Sequence, residues 1–279
     1  MAEKFKIVTD SSADMDTFEE VDFASAPLKI ITANKEYIDD ENLNVEEMVN
    51  DLRTYKGKSS TSCPNTEDWI EAFGDAERIF CITITATLSG SYNSACLAKQ
   101  MYEEKFPNRK VCVINSLSTG PEMKLIIEKI QELITDEKTF EEICELIKEY
   151  MKDTGLFFML ESLTNLANNG RVNPIVAKIA GFLGIRVVGK ASDKGDLQQL
   201  NKCKGERKAL DAIVSHLKNL GSKLKKIRIA HCLNESAALS LKERILKEFE
   251  KVNIQIYKCK GLCSFYAERG GLLIGYEKL

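Results

Sequence analysis

Two short stretches hold most of the side chains that could do chemistry. Residues 59–64 read Ser-Ser-Thr-Ser-Cys-Pro, and residues 88–94 read Leu-Ser-Gly-Ser-Tyr-Asn-Ser. Hydroxyls and free backbone amides in such loops donate hydrogen bonds to an oxyanion. Where a helix follows, its N-terminus adds partial positive charge. Two further polar turns close apolar runs: Thr-Asp-Ser-Ser at 9–12 and Asn-Ser-Leu-Ser-Thr-Gly at 115–120. Any one of these loops reads more readily as caps and turns than as a site. Together they point to a small anionic head group held between 59–64 and 88–94.

Other chemistries find less support. There is no GxxxxGK[ST] and no GxGxxG after a strand. Ser89 and Ser91 lack the flanking glycines of a nucleophile elbow. The chain has two histidines, His216 in a helical pattern and His231 at the end of a strand pattern. A Ser–His–Asp site is therefore possible on paper without motif support. A small hydrolase or transferase acting on an anionic substrate is the alternative enzyme reading, and a ligand sensor is a third. Nine cysteines lack the paired spacing of a zinc site; Cys259 and Cys263 come closest, and the rest read as small buried hydrophobes. No metal and no cofactor is expected. Arg171 follows Asn-Asn-Gly and is the basic residue best placed to face a partner or a phosphate.

The net charge of −3 lacks the basic surplus of a nucleic-acid binder. No apolar run reaches the ~18 residues needed to cross a bilayer. The first residues, MAEKFKIVTD, enter a strand pattern at once, so a cytoplasmic protein in a reducing compartment is expected.

The elements that would position these loops divide at Thr154-Gly155. Up to there, β-branched runs at 6–9, 78–85 and 110–114 alternate with helical patterns, which implies parallel strands with crossover helices. A hairpin is expected around 33–35, a loop at 59–66, and helices from Asn44, Thr66 or Asn65, and the 88–94 loop. After it, strands at 156–160, 185–190, 197–203, 227–231, 254–258 and 272–276 mix with helices at 162–168, 173–183, 204–219 and 235–249. That mixture reads as an α+β layer. The fold class is α/β in two domains, 1–154 and 155–279.

The same residues resemble the DegV family, the fatty-acid-binding subunits of bacterial fatty acid kinase. Residues 6–12 (KIVTDSS) look like the family's opening strand and turn. Thr61-Ser62-Cys63-Pro64 resembles its TSQP loop, and residues 88–95 (LSGSYNSA) resemble LSGTYQSA. Gly170-Arg171-Val172 is similar to its GRI element, and residues 202–210 to a basic KxRxxKKA-like segment. The resemblance implies a Rossmann-like N-terminal parallel layer and a C-terminal α+β domain with a mixed or antiparallel sheet. It also implies a long-chain fatty acid between them, presented to the kinase catalytic subunit without catalysis by this chain and with at most transient membrane contact. Carboxylate contacts would fall on Thr61, Ser62, Ser89, Gly90 and Ser91. Arg171 and Lys204 would face the kinase or the acyl phosphate. Two positions depart from the family: Glu268 stands where it has histidine, and Lys204 where it has arginine. By position, Glu268 and Arg269 are expected beside the carboxylate.

Overall fold

The computed structural model describes residues 4–19, 21–173, 184–221 and 223–279. The strands are β1 (Phe5–Asp10), β2 (Asp22–Ala26), β3 (Lys29–Ile31), β4 (Glu36–Ile38), β5 (Ser60–Ser62), β6 (Arg78–Thr83), β7 (Lys110–Asn115), β8 (Thr154–Leu160), β9 (Ile185–Ala191), β10 (Leu197–Lys204), β11 (Leu224–His231), β12 (Asn253–Lys258) and β13 (Leu272–Lys278). They form three sheets in the orders β2-β1-β6-β7, β4-β3-β5 and β10-β9-β8-β13-β11-β12.

The first sheet is wholly parallel, as the alternation of strand and helix required. Helices Thr66–Phe73 and Ser91–Lys105 make its crossovers. Side-chain oxygens start the helices: Asn44 caps Val45–Thr54, Asn65 caps Thr66–Phe73 and Thr139 caps Phe140–Tyr150. The six-stranded sheet is mixed, with a parallel β11–β12 pair and antiparallel neighbours elsewhere. β2 has no counterpart among the expected strands, because Asp-Phe-Ala-Ser-Ala has too little β-branched bulk to read as one. The expected hairpin at 33–35 joins β3 to β4, but it gains a third strand: 60–62 is not free loop but β5, paired with β3 so that Thr61 lies opposite Ile30. Most of the expected helix at 173–183 lies outside the described residues.

Helix Pro121–Thr135 joins the two large sheets, packing against β6 and against β8, β11 and β13. Its apolar residues Met123, Ile126, Ile127 and Ile130 are fully buried with Ile7, Phe80 and Ile82 of the first sheet. On the other side β13 comes close because Gly275 has no side chain; a Cβ there would sit 2.6–2.7 Å from the Pro121 carbonyl group. Across this contact Arg228 of β11 makes a bidentate pair with Glu128, both bonds 2.7 Å, and Arg228 is only 3% exposed.

Removing one member of that pair strands the other charge in the interior, at a cost of about 3–5 kcal/mol. Glu128→Leu is expected to lower the free energy of unfolding measured in urea by an amount of that order. The double variant Glu128→Leu/Arg228→Met is expected to recover most of it. Equal loss in the single and double variants would show that the pair is not the source.

Candidate functional site

Asp10 ends β1 and is completely buried. One of its carboxylate oxygens accepts from the Ser12 amide (3.2 Å) and hydroxyl; the other accepts from the Ile84 amide at 2.9 Å and the Ser91 hydroxyl at 2.5 Å. Three chain segments therefore converge on one side chain: the turn after β1, the exit of β6 and the start of helix Ser91–Lys105. Burial pushes the Asp10 pKa up, against the four hydrogen bonds. Ser91 consequently faces inward to Asp10, and its residues 89 and 90 are turned outward to line a cavity.

That cavity has a volume of about 280 Å³. Thr61, Ser62, Cys63, Ser89, Gly90, Thr119 and Arg171 supply its polar lining. Thr61 Oγ1 and the Tyr266 hydroxyl are hydrogen-bonded at 2.8 Å. Helix Ser91–Lys105 begins here with no side-chain cap and no acid in its first turn, so its amides leave a positive end toward the hydroxyls. Arg171 crosses the opening: its Nε donates to the Leu88 carbonyl at 3.0 Å, and another guanidinium nitrogen donates to the Asn169 carbonyl. The remaining walls are apolar. Leu156, Phe158 and Leu160 alternate along β8 and so share one face, beside Leu273 of β13.

Helix Gly261–Ala267 closes the cavity with Leu262, Cys263, Tyr266 and Ala267. It belongs to the C-terminal half but is held by aspartates of the N-terminal half. Asp39 accepts from the Gly261 amide (2.7 Å) and the Leu262 amide (2.8 Å), and Asp14 accepts from the Lys260 amide at 2.7 Å. Burial pushes Asp14 up to about 7 and Asp39 up to about 6. Gly120, at φ +48°, turns the 115–120 loop tightly against this group; a Cβ there would lie 3.1 Å from Asp14.

The expected residues thus part company. Thr61, Ser62, Ser89, Gly90 and Arg171 come together on the cavity. Ser91 does not line it, because its hydroxyl is committed to Asp10. Glu268 and Arg269 line a second, polar cavity of about 830 Å³ on the far side of the helix. Glu268 there accepts from the Ser162 hydroxyl (2.8 Å) and the Asn165 amide (3.1 Å), and burial raises its pKa. Glu268 therefore lies apart from the hydroxyls of the first cavity. Lys204 ends β10, exposed and on neither cavity. Neither histidine lines the first cavity: His216 stacks on Phe157, and His231 accepts from the Asn234 amide. Asp10, Tyr266 and Thr119 were missed as site residues. The legible signal for Asp10 was an acid at the carboxyl end of a buried strand.

Comparison with known proteins gives this geometry its context. The family model described as an uncharacterised protein family, DegV, matches residues 4–278. A DegV domain-containing protein of Streptococcus pneumoniae is 41% identical over 277 residues, covering 98% of this chain and 99% of the relative. A DegV family protein from Eubacterium eligens, loaded with heptadecanoic acid, superposes with a TM-score of 0.97 at 43% identity, covering 99% and 100% of the two chains. The Streptococcus pneumoniae fatty acid kinase B3 protein, loaded with linoleic acid, gives 0.96 at 40% identity and covers 100% of both.

Asp14, Asp39 and Glu122, the last also pushed up to about 7 by burial, hold protons in the folded chain at pH values where the unfolded chain has released them. Folding takes up protons there, so stability falls as pH rises from the ordinary carboxylate range to about 7. The two histidines, lowered by burial, act oppositely, but only below their ordinary 6.5. The urea midpoint is expected to drop between about pH 6 and about pH 8 and to drop less in Glu122→Gln. A midpoint that rises over this interval would contradict the assignment.

Proposed function

The chain belongs to the DegV family, and from that membership we propose that it binds a long-chain fatty acid in the 280 Å³ cavity and presents the carboxylate to a fatty acid kinase. The observation that carries this reading is the division of one cavity into a hydroxyl-lined end and an apolar wall. The fatty acids carried by the Eubacterium eligens and Streptococcus pneumoniae proteins support it.

The carboxylate is received by Thr61, Ser62 and Ser89 and by the backbone at Gly90, with Arg171 across the opening. Several hydrogen bonds keep a carboxylate ionised without a buried counter-ion. The tail lies on Leu156, Phe158 and Leu160, each buried CH₂ contributing about 0.8 kcal/mol. Ser91 holds the loop rather than the ligand. Residues 1–154 and 155–279 act as two domains closed over the ligand by the Asp14 and Asp39 bonds to helix Gly261–Ala267. The chain itself is a non-catalytic, cytoplasmic subunit. Phosphoryl transfer is the work of the kinase, toward which Arg171 and exposed Lys204 turn. No helix among the described residues is long and apolar enough to cross a membrane.

An organic extract of the purified protein is expected to contain a long-chain acid by mass spectrometry. Thr61→Val and Ser62→Ala should each weaken binding roughly tenfold or more, the worth of a hydrogen bond to a charged group. Shortening the ligand should cost about fourfold per CH₂. An extract without acyl chains, together with no calorimetric binding of added acids, would sink the proposal. Binding without capture of the kinase subunit in a pull-down would remove the presentation step alone.

A further inference from the structure

The hydroxyls at the polar end of the first cavity are each backed by a second group. Thr61 lies on β5 of the N-terminal half, opposite Ile30 of β3. Tyr266 lies on helix Gly261–Ala267 of the C-terminal half, its ring edge-on to Phe265 with centroids 4.8 Å apart. Both line the cavity, and their hydroxyl oxygens stand 2.8 Å apart although the residues are 205 positions apart in sequence. On the other loop, Ser89 Oγ accepts from the Ser91 amide at 3.2 Å. The bonds from Asp39 and Asp14 to the amides of 260–262 fix the helix that carries Tyr266, so the phenol is already presented to Thr61 in the empty cavity.

We propose that Tyr266 is a positioning residue for head-group selection: by donating to Thr61 it turns the Thr61 proton toward the ligand, so that the cavity takes an ionised carboxylate in preference to a neutral hydroxyl head group on the same chain. The inference rests on the fatty-acid reading above and names the residue that tunes its polar end. Tyr266 acts through Thr61, one hydrogen bond behind the ligand.

A hydroxyl carries one proton and two lone pairs. Without a ligand, either oxygen of the Thr61–Tyr266 pair can be the donor. A carboxylate removes that choice. It offers only lone pairs, so Thr61 must turn its proton to the carboxylate, and the proton between the two oxygens must come from Tyr266. A phenol is more acidic than an aliphatic alcohol and suits the donor role. Burial pushes the Tyr266 pKa up, against the Thr61 bond and Arg171, so the phenol keeps its proton at neutral pH. A hydroxyl that accepts one hydrogen bond becomes a stronger donor of the next. Ser89, which accepts from an amide, is prepared in the same way. A fatty alcohol meets the opposite situation. Its own proton needs an acceptor, and the lone pairs of Thr61 and Ser89 are already engaged by Tyr266 and by the Ser91 amide.

The test is titration calorimetry of the full chain, stripped of lipid, with hexadecanoic acid and with hexadecanol, each carried on cyclodextrin. Tyr266→Phe removes the phenol and keeps the ring that packs on Phe265. It is expected to weaken the acid about tenfold and to leave the alcohol unchanged, which also reports an intact cavity. Thr61→Val/Tyr266→Phe is expected to bind the acid as Thr61→Val alone does, because Tyr266 acts through Thr61. On a Thr61→Ser background, which keeps a hydroxyl, Tyr266→Phe is expected to cost about tenfold again. Unchanged acid binding in Tyr266→Phe would overturn the proposal. So would an equal loss of acid and alcohol, the mark of a structural role, or additive losses in the Val/Phe double variant. Failure of the wild-type chain to bind the acid would sink the fatty-acid reading itself, and this inference with it.

Discussion

The buried carboxylate of Asp10 is the constraint on which the rest of the site depends. A parallel sheet brings the ends of its strands together but leaves the loops beyond them free to diverge. Asp10 removes that freedom by accepting four hydrogen bonds from three segments. A buried carboxylate without donors is costly, so the loops are held where their donors reach it. The orientation of residues 89 and 90 toward the cavity follows from the commitment of Ser91 inward. A second acidic arrangement repeats the device across the molecule, where Asp14 and Asp39 take the amides of 260–262 and so fix the wall opposite.

These two devices explain which parts of the molecule were legible in the residues alone. Parallel strands at 6–9, 78–85 and 110–114 announced themselves because both sheet faces are covered and each run is rich in apolar and β-branched residues on both faces. The helix starts at Asn44 and Asn65 were legible because capping is a local interaction. β5 was not, because Ser-Thr-Ser has no strand character of its own and pairs only because β3 lies beside it. Helix Gly261–Ala267 is shorter than two full turns and owes its N-terminal partners to side chains more than 200 residues away in sequence. No local pattern carries that information.

The hydroxyl loops were recognisable by composition, but composition could not say which hydroxyls line the cavity. Ser89 and Ser91 are chemically equivalent and two positions apart, yet one lines the cavity and the other is spent on Asp10. The difference lies in the start of the helix. Residue 90 is the cap, so 89 precedes the helix and looks out while 91 is already inside its first turn. The direction of a side chain at a helix start is set by the axis of that helix, and the axis is set by packing against the sheet.

Glu268 shows how such packing decides the meaning of a departure from a family pattern. Taken by position alone, an acid in place of histidine beside a fatty carboxylate would set two negative charges against each other. The backbone at Glu268 instead adopts φ +52°, which ends helix Gly261–Ala267 and sends the side chain away from the first cavity. There the carboxylate meets the opening of helix Thr164–Asn168, where the Ser162 hydroxyl and Asn165 amide offer donors. An acid at a helix N-terminus gains from the helix dipole, and the two hydrogen bonds work against the burial that still raises its pKa. Leu166 of that same helix lines the first cavity, so the substituted residue acts on that cavity by steadying a wall rather than by lining it.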